Sequence, residues 1–277
     1  MAKALGLIGN FKGKLGNTVG YSLKDSNNKQ TQGVRVYQPV VRNPKTAAQA
    51  EQRAKLAPIN ATYRALKMVI DRGQEGKAYG NKSRLAWLSA AMKAFNGGWF
   101  EKGAAIDMPA IVPLTKGSLG AFNTIDDNTA IPTLNVRGMV GETTTTLGAL
   151  SSALIAAFPF LENGDQVTFV AIEKVGVGIV AHVDSVIIDS TSTAAIPSFL
   201  SANDDYVEFF GNGNNAVACA VIGSREGDNG AHLRTSSSIV TTTNYDSASL
   251  ADAAKEAAIE SYMSQGANTD WAEESLM

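Results

Sequence analysis

The stretch Gln166-Val167-Thr168-Phe169-Val170-Ala171-Ile172 is dense in β-branched and aromatic residues and predicts a β-strand. Gly164 and Asp165 bound it on one side. Outward from it, Gly178–Ile188 and Ala216–Gly223 read the same way. So do Thr133–Gly138, Tyr206–Phe210 and Ser237–Thr243. Six or seven short strands within roughly 110 residues predict an antiparallel β-sandwich. One helix interrupts them: Leu147, Leu150, Leu154, Ile155 and Phe158 form a single apolar stripe, and Pro159 ends it. Such a helix would cover one end or edge of the sandwich. A last helix is expected over 246–264, with Asp246 or Ser247 as its cap.

The region before the strands has a different character. Gly6, Gly9, Gly13, Gly16 and Gly20 recur every few residues, and no apolar helix follows them. A phosphate loop would need one, so Gly13–Asn17 reads as the turn of a twisted hairpin. Val34–Gln38 alternates apolar and polar residues, as a half-buried or edge strand does. Asn43 and Pro44 are placed to open a helix, and Pro58 is expected to kink or restart it. Ile59, Tyr63, Leu66 and Ile70 make its apolar face. A second helix spans about Asn81–Phe95 on Leu85, Leu88, Met92 and Phe95, and Gly97-Gly98 stops it. Residues 100–130 lack periodicity and read as a linker. The expected organisation is therefore α+β in three parts. Residues 1–120 form a basic Gly-rich arm with a hairpin and two helices. Residues 121–245 form an acidic β-sandwich, and 246–277 a C-terminal helix with an acidic tail.

The chain has 277 residues and a formal net charge of −2. That near-neutrality conceals a division. Residues 1–116 hold 19 Lys and Arg against 6 Asp and Glu, whereas 117–277 hold 5 against 20. Halves of +13 and −15 can associate head to tail, and their opposite potentials would set the register. The basic half offers Lys12, Lys14, Lys24, Lys29, Arg35, Arg42, Lys45, Arg53 and Lys55, interleaved with Tyr21 and Tyr37. Lys82 and Arg84 follow on the second helix. Cations neutralise phosphates and aromatic rings stack on unpaired bases, so a neighbouring subunit and single-stranded DNA are both candidate partners. Trp271, alone in the acidic tail, is a candidate partner anchor.

Several chemistries find no residues to carry them. One cysteine, Cys219, permits no intrachain disulfide, and its setting in AVACAV reads as a buried apolar position. His182 reads as a half-buried strand residue, and with His232 it makes too few imidazoles for a metal site. Ser224–Gly230 lacks the alternating ligands of a calcium loop, and Asp228-Asn229-Gly230 reads as a turn. No catalytic set, metal or cofactor is expected. No run of apolar residues is long enough to span a membrane, and the apolar run at the start is too short for a signal peptide.

Gly13-Lys14-Leu15-Gly16-Asn17-Thr18-Val19-Gly20-Tyr21 and Arg42-Asn43-Pro44-Lys45-Thr46, followed by Gln49 and Gln52-Arg53-Ala54-Lys55, form a motif set. It resembles an uncharacterised protein family of Bacteroidota and their phages. The family shows a GK-(L/I)-GN-x-VGY start, an NP(R/K)T element and a Q-x-x-R-x-K helix. The resemblance implies an immunoglobulin/fibronectin-like sandwich in the C-terminal half, with a GD-x-(V/A) strand start at Gly164-Asp165-Gln166-Val167. Similar sequences look like accessory genes of small tailless single-stranded DNA phages, which implies a virion role. The function expected is a non-enzymatic structural or assembly protein that self-associates or meets other virion proteins, in the virion or the host cytoplasm. The alternatives are a single-stranded nucleic-acid-binding accessory protein and a surface or carbohydrate-binding sandwich module.

Overall fold

The computed structural model describes residues 13–24, 30–37, 46–106, 112–122, 125–126, 130–136, 146–203, 206–211, 215–227 and 232–264. The chain divides into two compact units, Met1–Lys45 and Thr46–Met277. The boundary expected near residue 120 falls inside the second unit. The expected helix opening at Asn43 and Pro44 lies outside the described residues, as does the turn at Asp228–Gly230.

The first unit is an antiparallel meander of β1 (Gly13–Leu15), β2 (Thr18–Lys24) and β3 (Gln30–Val36). The β1–β2 turn needs only Gly16 and Asn17, with Gly16 in the left-handed region at φ 57°. Thr18 Oγ1 donates to the Leu15 carbonyl at 2.7 Å across it. This is the hairpin expected from the glycine spacing.

The second unit begins with α1 (Ala47–Ala65), α2 (Lys67–Ile70) and α3 (Asn81–Ala94). Strands β4 (Val112–Thr115), β5 (Ile125–Asp126) and β6 (Thr133–Asn135) precede α4 (Leu147–Ala157). Then come β7 (Gln166–Val175), β8 (Gly178–Ile187), β9 (Leu200–Asn203), β10 (Tyr206–Phe209), β11 (Ala216–Glu226), β12 (His232–Arg234) and β13 (Ser237–Thr241). A 3₁₀ turn, Ser247–Leu250, leads into α5 (Asp252–Ser264). Asp246 caps that turn, its Oδ1 accepting from Ala248 N at 2.9 Å.

Among the described residues, a six-stranded sheet runs β4-β13-β11-β7-β8, with β12 also paired to β11, and a four-stranded sheet runs β5-β6-β10-β9. Each of these strand pairs is antiparallel. Strand β7 alternates. Val167, Phe169 and Ala171 enter one apolar cluster with α4 and the four-stranded sheet, while Val170 and Ile172 enter another with the helices. Strand β11 does the same through a register shift at Ala216/Ala218. The shift lets Val217 and Ala218 both face the helices before alternation resumes. Residues 216–223 are consequently buried on both sides. At β11 and the centre of β7 the six-stranded sheet is thus a middle layer, which explains the near-continuous apolar sequence there.

The helices depart from expectation in three places. Thr46 caps α1, its Oγ1 accepting from Gln49 N at 3.3 Å. The helix continues through Pro58, which is buried, and breaks instead at Leu66 (φ −109°, ψ 23°). On α3 the buried face is Ser83, Trp87 and Ala91, and Leu85 is 55% exposed. The expected linker region contains β4, an edge strand whose buried Val112 and Leu114 join the helix-side cluster. Pro113 is tolerated there because an edge strand leaves amides unpaired.

Candidate functional site

Cross-strand register decides which cationic side chains of the first unit share a face. Lys14 stands opposite Val19, and Val19 opposite Arg35. Tyr21 stands opposite Gly33. Opposed residues point the same way and strand residues alternate. Lys14, Tyr21 and Arg35 therefore lie on one face. Tyr37 joins the first face just beyond β3, with Lys14 Nζ 3.7 Å from its ring centroid. Its amide continues the ladder by donating to the Asn17 carbonyl at 2.8 Å. The Tyr21 ring covers Gly33 so closely that a Cβ there would sit 2.6 Å from Cζ. An aromatic laid over a cross-strand glycine supplies the contact that glycine lacks.

Within residues 13–22 and 33–37, Gly20 alone is buried, and Leu15 and Val36 are 52% and 64% exposed. Residues 1–45 carry eight Lys and Arg against one Asp, a net +7. Residues 46–277 carry sixteen against twenty-five, a net −9.

The remaining expected site residues scatter. Lys12, Lys29, Arg42, Lys45 and Trp271 lie outside the described residues. Arg53, Lys55, Lys82 and Arg84 belong to the second unit, so the basic half is no single structural body. Two of these four have partners in their own unit. Lys55 Nζ binds Glu51 Oε1 at 2.9 Å and lies 5.6 Å from the Trp99 ring. Its hydrogen bond holds the Glu51 carboxyl below the usual range, against a smaller opposing effect of burial. The Arg84 guanidinium lies 4.5 Å from the centroid of the Tyr63 ring. Lys82 is exposed at the start of α3.

Other polar features hold the framework. His182 is half-buried on β8, its Nε2 3.2 Å from Glu173 Oε2, and Cys219 is fully buried. Asp165, 2% exposed, receives Arg225 on both carboxylate oxygens, from Nε and Nη2, each at 2.7 Å. Its Oδ2 also accepts from Glu162 N at 2.8 Å. Gly164 before it is left-handed (φ 95°). The Gly-Asp pair at this strand start is thereby a turn and a buried anchor. Among the described residues, no group of three His, Cys, Asp or Glu could hold a metal, and no helix is long and apolar enough to cross a membrane.

One cationic cluster went unread in the sequence. The turn after α2 is bridged to the end of β4, with Glu75 N donating to the Lys116 carbonyl at 2.9 Å. Lys116 N donates to the Gly73 carbonyl at 3.0 Å. Glu75 accepts from Ser118 Oγ (2.8 Å), Ser118 N (2.9 Å) and Arg234 N (3.1 Å). Burial opposes its ionisation, but these three donors outweigh it and hold its carboxyl below the ordinary 4.5. Burial pushes the Arg234 guanidinium down, and nearby Arg72 adds to that, against the pull of Glu75.

A carboxyl lowered on folding contributes stability above its unfolded value and loses it as pH falls through the folded one. Glu75→Gln is therefore expected to cost about 1–2 kcal/mol at neutral pH. The cost should shrink below pH 4.5, where wild type loses the same contribution. Thermal melts of both proteins across that range test this; a cost that persists unchanged at the acid end contradicts it.

Comparison with protein-family models, curated proteins and solved structures finds no match to this chain.

Proposed function

We propose that this is a non-enzymatic structural or assembly protein, virion-associated in a phage, that contacts neighbouring subunits through its basic N-terminal region. The observation that carries the reading is the first unit's small sheet, which buries no side chain within 13–22 and 33–37. A three-stranded sheet of this size needs an apolar cover to be stable. The occupant that fits is a second copy, because the unit's +7 meets a net −9 on residues 46–277. Contacts between unlike surfaces are heterologous and build rings or filaments. The edge strand β8 adds support. It exposes Val180, Val183 and Ile187, the last 62% exposed, and such an edge favours association. The family resemblance points the same way, as does its fibronectin-type sandwich, which we read in the two sheets that share one apolar cluster.

Charge reversal on the exposed sheet face tests the reading. The full chain with Lys14→Glu and Arg35→Glu is expected to self-associate at least about tenfold more weakly at low salt. Sedimentation velocity reads the difference, and circular dichroism checks that the fold is kept. Unchanged association would contradict the reading.

The gathering of Lys14, Arg35, Tyr21 and Tyr37 on one face favours a second reading, a single-stranded nucleic-acid contact. It requires oligonucleotide affinity that falls steeply with salt and falls further in the same double variant.

A further inference from the structure

The second unit holds a cleft of about 540 Å³ where the turn after α2, one side of α3 and the end of β4 meet. Lys77, Lys93 and Lys116 line it, one from each of those segments, together with Ser89 and Ser118. All three lysines are exposed, and none forms an ion pair among the described residues. The one carboxylate at the cleft, Glu75, already takes three hydrogen bonds from Ser118 and Arg234.

The cleft is also built to stay open. Ala86 and Ala90 give α3 a low wall leading to Lys93. The opposite wall is pinned: Gly117 N donates to Ser236 Oγ at 3.2 Å, Ser236 Oγ donates to the Gly117 carbonyl at 2.8 Å, and Leu119 N donates to the Arg234 carbonyl at 2.9 Å. Gly117 lies so close to the Arg234 carbonyl that no side chain fits there.

We infer that this cleft binds a phosphate-bearing ligand, with Lys77, Lys93 and Lys116 meeting the phosphate oxygens and the Ser89 hydroxyl as a further donor. Lysines supply point charge from three directions, and the small wall residues leave room for a group the size of a nucleotide. The same chemistry is offered by a free phosphorylated small molecule and by the backbone of a nucleic acid. The inference does not rest on self-association, since none of these residues belongs to the first unit.

Calorimetric titration of the full chain with inorganic pyrophosphate, and separately with a short oligothymidylate, tests it. At least one probe is expected to bind, more weakly at higher salt. Lys93→Ala with Lys116→Ala should weaken that binding at least about tenfold. Lys67→Ala, an exposed lysine of α2 outside the cleft, should leave it unchanged. Pyrophosphate bound as tightly as the oligonucleotide identifies a small-molecule site. Oligonucleotide bound much more tightly identifies a backbone contact. The inference is overturned if neither probe binds, or if Lys67→Ala weakens binding as much as the cleft variant. It is overturned equally if Lys14→Glu with Arg35→Glu, and not the cleft variant, abolishes binding.

Discussion

Replacing Asp165 with alanine should lower the unfolding free energy by about 3–5 kcal/mol, the range for breaking one half of a buried ion pair. Asp165 is 2% exposed, and its two oxygens satisfy Arg225 Nε, Arg225 Nη2 and the Glu162 amide. Alanine would strand all three donors. Arg225 keeps its bonds to Glu162 Oε1 and the Phe160 carbonyl, and its side chain is 23% exposed, which favours the lower end of the range. Replacing both partners, as Asp165→Ala with Arg225→Met, should recover part of the loss, since it removes the uncompensated charge. Urea unfolding of the three proteins measures this. A single variant with an unshifted midpoint would show that the pair is not an anchor.

Trp87→Ala is expected to cost about 3–5 kcal/mol. Trp87 is 1% exposed at the centre of the helix-side cluster, and its Nε1–H donates to the Pro113 carbonyl at 2.8 Å. That one side chain joins α3 to the edge strand β4. Trp87→Phe separates the two contributions, since it keeps most of the apolar volume and removes the donor. It should cost about 1–2 kcal/mol. Equal losses in both variants would mean that the hydrogen bond, not the packing, dominates.

These residues show what was legible in advance. The β-branched runs of β7 and β8 mark strands, and α4 follows from its apolar stripe and Pro159, whereas the expected cap Asp246 caps a 3₁₀ turn and the last helix starts only at Asp252. The relation between the helices and the sheet was harder. The unbroken apolar run of Ala216–Gly223 signals a strand covered on both faces, yet nothing local says that α1 to α3 provide the second cover. Strand β4 was hidden by Pro113 among neighbouring glycines and prolines, because an edge strand can hold a proline that a central one cannot. Spacing alone places Leu85 on the buried face of α3. The sheet instead takes Trp87 and Ala91, four residues apart.

The candidate sites divide along the same line. Lys14, Tyr21, Arg35 and Tyr37 share one face because neighbouring hairpin strands keep nearby residues in register, so sequence proximity sufficed. Arg53, Lys55, Lys82 and Arg84 were grouped with them by charge alone, and the division at Lys45/Thr46 separates the two sets. Lys77 and Lys116 meet only through the tertiary bridge between Gln74 and Lys116, which leaves no periodic trace in the chain.

The central claim is self-association through the basic N-terminal region. Light scattering of the full chain across a salt series, with and without single-stranded DNA, tests it most directly. The account predicts a mass well above the 29.1 kDa of one chain at low salt without DNA, falling as salt rises. A mass that stays at one chain at every salt concentration would contradict it.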